Sequence, residues 1–175
     1  MNRLYIVGLP GAGKSVLARE MAGHMGWDLV DTDAEIERIH GRTVEEIFEA
    51  EGEAVFRSLE KKALLDTARL ENTVVSCGGG AVVFEHNMEW MLGHGLTLFL
   101  NPPMEIIVRN LAGSTQKRPL FGSLDEAGIR AKLLQLVDER GYLYSKSKIV
   151  WNRNTASSML YHAVKQLISL KRAWP

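Results

Sequence analysis

LYIVGLPGAGKS, residues 4–15, decides the architecture, because four apolar residues run directly into a loop of three glycines that ends in lysine and serine. Gly8, Gly13, Lys14 and Ser15 satisfy the spacing G-x-x-x-x-G-K-[ST]. Glycines let successive backbone N–H groups turn inward around phosphate oxygens with no Cβ in the way. A helix starting at Lys14 adds the positive end of its dipole, Lys14 reaches β- and γ-phosphates, and the Ser15 hydroxyl suits Mg²⁺. The plainer alternative is a glycine-rich turn, but a place between an apolar strand and a helix start is what phosphate binding requires. Gly11, Ala12, Gly13, Lys14, Ser15 and Val16 are the expected nucleotide contacts.

Outward from this loop, short β-rich runs alternate with helical patterns. A helix from Lys14 to about Met25 precedes LVDTD, helices from about Ala34 to Leu70 precede TVVSC, and a helix near Glu85 to Met91 precedes LTLFL. Helices from about Pro103 to Leu111 and from Asp125 to about Tyr142 then lead to KIVW and a last helix after Thr155. Thr43 and Glu46 form a capping box. Five strands separated by helices need crossover connections, so the pattern predicts an α/β fold with a parallel sheet covered on both faces. Functional loops then belong at the carboxyl ends of the strands. STQKRPLF, residues 114–121, is polar and basic with a proline and suits a mobile flap.

The 175 residues, 46% of them hydrophobic, predict one domain over 1–175 with room for a core. Lys plus Arg balances Asp plus Glu at 21 each, so no global basic field of a nucleic-acid binder is present. No stretch approaches the roughly 20 apolar residues that cross a bilayer. The N-terminus lacks a signal-peptide pattern. The single cysteine, Cys77, excludes an internal disulfide. A cytoplasmic location is expected, with neither membrane nor nucleic acid as partner.

TVVSC ends without the acid that many phosphate-loop proteins use to hold their metal, so an acid must come from elsewhere. Asp31 and Asp33 stand two apart; on extended chain both carboxylates would face one side, one to hold Mg²⁺ or its waters and the other to meet a substrate hydroxyl. Equally, both fit as caps of the next helix. Gly78, Gly79 and Gly80 suit close backbone approach to a ligand or a flexible turn. His24, His40, His86, His94 and His162 share no ligand spacing, which argues against zinc. Met21 with Met25, and Met88 with Met91, recur at helical spacing as core. Cys77 reads as a small buried neighbour of the glycines.

GLPGAGKS, DTDAEIE, GRTVEEIFEAEGEAVFRSLE, VVSCGGGAVV, KRPL and ERGYLY, in this order and spacing, resemble the shikimate kinase family over almost the whole chain. The resemblance implies a phosphate-loop kinase fold with five parallel strands, a lid at about 113–124 and a substrate-binding helical region at about 34–62. It implies transfer of the ATP γ-phosphoryl group to the 3-hydroxyl of shikimate, with Mg²⁺ and ATP required, in a monomer-sized enzyme. Arg57 and Arg140 match the arginines that grip the shikimate carboxylate, a task that suits a planar, always charged guanidinium. Arg57 also stands one turn from Glu60 and can pair with it. Asp33 matches the aspartate on the substrate hydroxyls and is the candidate proton acceptor, and Asp31 acts near the metal with Ser15. Gly79 and Gly80 match the substrate-facing backbone, Arg118 the lid arginine over the phosphates and Arg109 the arginine beside the adenine. Lys14, Asp33 and Arg118 form the expected catalytic set.

Departures are visible too. Tyr142 stands where the family has proline in R-x-P-L-Y, a change expected to loosen a turn that aims Arg140. Phe121 ends RPLF, and WNRNTASS, residues 151–158, lacks the usual adenine-loop pattern. Two other functions compete: a related kinase acting on gluconate, and a nucleotide-gated regulator with little chemistry. No N-K-x-D motif of a GTPase is present.

Overall fold

The structure, a computed structural model, describes residues 2–84, 86–114, 120–122 and 124–173. Its strands are β1 (Arg3–Val7), β2 (Asp28–Asp31), β3 (Thr73–Ser76), β4 (Leu96–Leu100) and β5 (Ile149–Trp151). Between and after them run α1 (Lys14–Met25), α2 (Thr32–His40), α3 (Val44–Asp66), α4 (Asn87–His94), α5 (Met104–Ala112), α6 (Glu126–Tyr144) and α7 (Ser157–Ala173). The sheet order is β2-β3-β1-β4-β5, and every pairing is parallel. This is the α/β sheet that the alternation of strand and helix patterns predicts, five strands included.

β1 occupies the centre, and all five of its residues are buried. Its apolar members Leu4, Tyr5, Ile6 and Val7 belong to one large core with the inner faces of α1, α4, α5 and α6. Met21, Met88 and Met91 lie fully inside that core and Met25 packs against it, as their spacing predicts. The fifth member, Arg3, is a buried charge with no ion-pair partner among the described residues. Its guanidinium instead donates to the carbonyls of Ala68, Leu70 and His94, so three backbone oxygens replace its water shell.

The expected helical stretch between β2 and β3 is two helices and a short 3-10 turn, Thr67–Arg69. The capping box at the start of α3 is present: Glu46 N donates to Thr43 Oγ1 at 3.2 Å, and Thr43 N donates to Glu46 Oε2 at 2.7 Å. Gly52 interrupts α3 with φ 81°, a left-handed conformation that favours glycine. Spanning this break, a small second core of Ile36, Ile47 and Phe56 joins α2 to both parts of α3.

Tyr142 does not loosen a turn, contrary to the expectation. α6 continues through it to Tyr144, and Arg140 projects from regular helix. A residue able to donate its backbone N–H lets the helix run on where proline would break it. No described helix is long and apolar enough to cross a membrane.

Candidate active site

The carboxyl ends of β1, β2 and β3 open on one cavity of about 850 Å³, within the range of small-ligand sites. One end of it is the loop after β1. Gly11 and Gly13 there have φ of 79° and 92°, and Gly13 caps α1 with no side chain over the first-turn N–H groups. Helix starts of this kind receive anions. Lys14 is buried and its Nζ donates to the carbonyls of Gly8 and Leu9, each at 3.1 Å. Gly11, Gly13, Lys14, Ser15 and Val16 line the cavity. Ala12 is fully buried and its N–H donates to Leu9 O at 3.2 Å, so this residue supports the loop from inside.

β2 brings an acid beside the phosphate loop. Ser15 Oγ donates to Asp31 Oδ2 at 2.6 Å, and Ser76 Oγ lies 3.3 Å from Ser15 Oγ. Parallel pairing sets Asp31 opposite Ser76, which explains how the end of one strand lends its carboxylate to the place where the neighbouring strand ends in a hydroxyl. These are hard oxygen donors, few in number, the set Mg²⁺ takes when phosphates and water complete its shell.

The expectation that Asp31 and Asp33 lie together on extended chain is corrected. β2 stops at Asp31 and α2 begins at Thr32, so Asp33 sits in the first turn of a helix. Asp31 serves as cap and site residue at once: its Oδ1 accepts from the N–H groups of Asp33 at 3.2 Å and Ala34 at 3.4 Å while Oδ2 faces Ser15. Asp33 lines the same cavity as Asp31 and Ser15.

Three glycines bring the remaining groups together because each has a neighbour where a Cβ would stand. At Gly78 a Cβ would fall 2.0 Å from Glu60 Oε1 and 2.7 Å from Asp33 Oδ1. At Gly79 it would meet Pro10 Cγ at 2.8 Å, and at Gly80 the Arg57 Nη1 at 2.3 Å. The segment is a packed wall rather than a flexible turn. Gly80→Ala should drive the Arg57 guanidinium from its place, raising the acceptor KM by about tenfold or more with little change in ATP KM; steady-state kinetics on both substrates check this.

Arg57 is held tightly. Its Nη1 donates to Glu60 Oε2 at 2.7 Å and its Nη2 to Glu53 Oε1 at 2.9 Å, and the guanidinium lies 5.4 Å from the Phe56 ring centre and 5.9 Å from that of Phe48. The Glu60 side chain is only 1% exposed. Burial pushes its carboxyl above the ordinary range, with Arg57 pulling the other way. Glu60 Oε1 has no hydrogen-bond partner among the described residues and points towards Gly78. Arg140 is buried behind the glycine wall and donates from Nη1 to Gly79 O at 3.0 Å.

Arg109 and Arg153 line the same cavity. Arg153 was not singled out from the sequence; its backbone is left-handed (φ 58°), and its Nη1 lies 2.9 Å from where a Gly13 Cβ would be. The unusual 151–158 loop is braced by Trp151 Nε1 donating to Thr155 Oγ1 at 3.2 Å. Arg118 and half of the lid stretch lie outside the described residues; Phe121 is anchored in the core, and Leu120 lines the cavity with it. The described residues hold no cluster of three or more His, Cys, Asp or Glu side chains suited to a metal ion.

Residues 10–169 match the family model described as shikimate kinase. The chain belongs to the shikimate kinase family. Among its relatives, a shikimate kinase from Bacteroides thetaiotaomicron is 35% identical over 152 residues, covering 87% of either chain. The solved structure of shikimate kinase from Acinetobacter baumannii in complex with shikimate superposes with a TM-score of 0.85 at 31% identity, covering 98% of this chain and 94% of that one. A gluconokinase from Sinorhizobium meliloti, at 17% identity and a TM-score of 0.56, shares the fold alone.

Proposed function

We propose that this member of the shikimate kinase family transfers the γ-phosphoryl group of ATP to the 3-hydroxyl of shikimate, giving shikimate 3-phosphate and ADP. The observation that carries the proposal is the shared wall. Pro10 of the phosphate loop rests on Gly79, and Gly80 next to it rests on Arg57, so an anion bed and a carboxylate-gripping arginine flank one short backbone segment.

Each residue then has a task. The N–H groups at the start of α1 cradle the phosphates, and Lys14 follows the charge that spreads over the transferring oxygens. Arg57 and Arg140 hold the acceptor carboxylate, Arg57 with its orientation set by Glu60 and Glu53. Asp33 orients the attacking hydroxyl and accepts its proton. Ser15, with Asp31 beside it, would hold Mg²⁺, which would supply neutralisation of the phosphate charge. Arg109 stacks on the base, and Arg118 closes over the phosphates from a lid at about 113–124, excluding water that would otherwise compete as acceptor. The helical region at about 34–62 carries the acceptor groups. A single domain acting as a cytoplasmic monomer completes the proposal.

Coupled detection of ADP from purified protein, MgATP and a panel of hydroxy acids tests it. Turnover should depend on shikimate. ADP release that follows gluconate instead, or that ignores every acid offered, overturns the proposal.

A further inference from the structure

We propose that Tyr144 is a positioning residue: together with Arg140 its phenol holds the Gly79 carbonyl, and so turns the Gly80 N–H towards the carboxylate of the acceptor. Tyr144 Oη donates to Gly79 O at 2.6 Å, and Arg140 Nη1 donates to the same oxygen at 3.0 Å. The two residues stand four apart on α6 and so share a face of the helix. Both lone pairs of one carbonyl are thereby engaged.

A trans peptide points its carbonyl and the following N–H in opposite directions, and no cis bond occurs among the described residues. Pinning Gly79 O against α6 therefore aims the Gly80 N–H away from α6. Gly79 and Gly80 both line the cavity, and Gly80 packs against Arg57. No protein acceptor for the Gly80 N–H is found among the described residues. Tyr144 itself does not line the cavity, so it acts through Gly79.

The ring is locked as well as the hydroxyl. Tyr144 is 1% exposed and stacks on Phe99 of β4, with ring centres 5.0 Å apart and planes 13° from parallel. Burial pushes its phenol up to about 12, which keeps it a neutral donor throughout the neutral pH range. Arg140 alone would hold Gly79 with a group that the acceptor also needs. The phenol keeps the carbonyl in place when the guanidinium turns its other nitrogens to a carboxylate.

Tyr144→Phe removes the donor while keeping the ring and its stack on Phe99. Gly79 O retains Arg140, so no buried acceptor is orphaned and the fold survives. The acceptor role rests on the proposed function; the orientation of the peptide does not, and the test separates them. Steady-state kinetics of the variant should show a shikimate KM raised about three- to tenfold with ATP KM unmoved. In ligand-free protein, amide hydrogen exchange by NMR should quicken at Gly79 and Gly80 and stay unchanged at Gly8 and Gly13. An unmoved shikimate KM, or ATP and shikimate KM rising together, overturns the inference. Should the wild type fail to use shikimate, the proposed function falls, and the amide measurement alone decides whether Tyr144 orients the peptide: unchanged exchange at Gly80 overturns it.

Discussion

Asp33→Asn should lower kcat about 10²- to 10⁴-fold, the span that a positioned general base contributes, with a smaller change in shikimate KM. Asn keeps the shape and one accepting oxygen, so the hydroxyl still binds, yet the amide cannot take its proton. The position on α2 makes the substitution clean: Asp33 lines the cavity from the first helical turn, while the neighbouring cap is Asp31. Asp31→Asn gives the contrast. It retains a capping oxygen, and its effect should appear as a raised Mg²⁺ requirement. Rapid-quench single turnover over a range of Mg²⁺ concentrations separates the two, and an Asp33→Asn enzyme with wild-type chemistry would remove Asp33 from the proton-accepting role.

Arg57→Ala should damage the fold as well as the site. The lost guanidinium leaves the Glu60 carboxylate, with a side chain 1% exposed, buried without its cation, and breaking such a pair costs about 3–5 kcal/mol. The pH dependence has a definite sign. Burial without Arg57 holds the folded-state Glu60 pKa above its unfolded value of about 4.3, so the protein keeps its stability below that value and loses it as pH rises through the folded pKa. Urea unfolding at pH 5 and pH 8 should therefore find a larger deficit at pH 8. Joining Arg57→Leu to Glu60→Leu removes the orphaned charge and should restore most of the stability without restoring use of the acceptor. A double variant as unstable as Arg57→Ala would show that the pair is not the source of the loss.

The parts of the site that were legible in the sequence are those whose chemistry is local. A glycine-rich loop after an apolar strand specifies its own conformation, and Thr43 with Glu46 specifies a helix start, because the interacting atoms are a few residues apart. Two-residue spacing was misleading at Asp31 and Asp33, since the chain changes from strand to helix between them, although both still line one cavity. Ser76 was passed over as the absence of an acid; only strand order sets it against Asp31 and makes the pair a shared oxygen site. Arg153 and Tyr144 were invisible because their partners, Gly13 and Gly79, lie far away in the chain. The proline position misled for the opposite reason: a motif suggested a turn, but helix propagation through Tyr142 decided the local geometry.

The contact of Pro10 with Gly79 works as a gauge. Reacting atoms must approach to about 3–3.5 Å before transfer begins, and here the thickness of the partition between the two beds is one residue with no side chain, with Pro10 Cγ only 2.8 Å from the spot a Cβ would claim. Any bulkier amino acid at 79 becomes a spacer, prising donor from acceptor while leaving either ligand able to bind by itself.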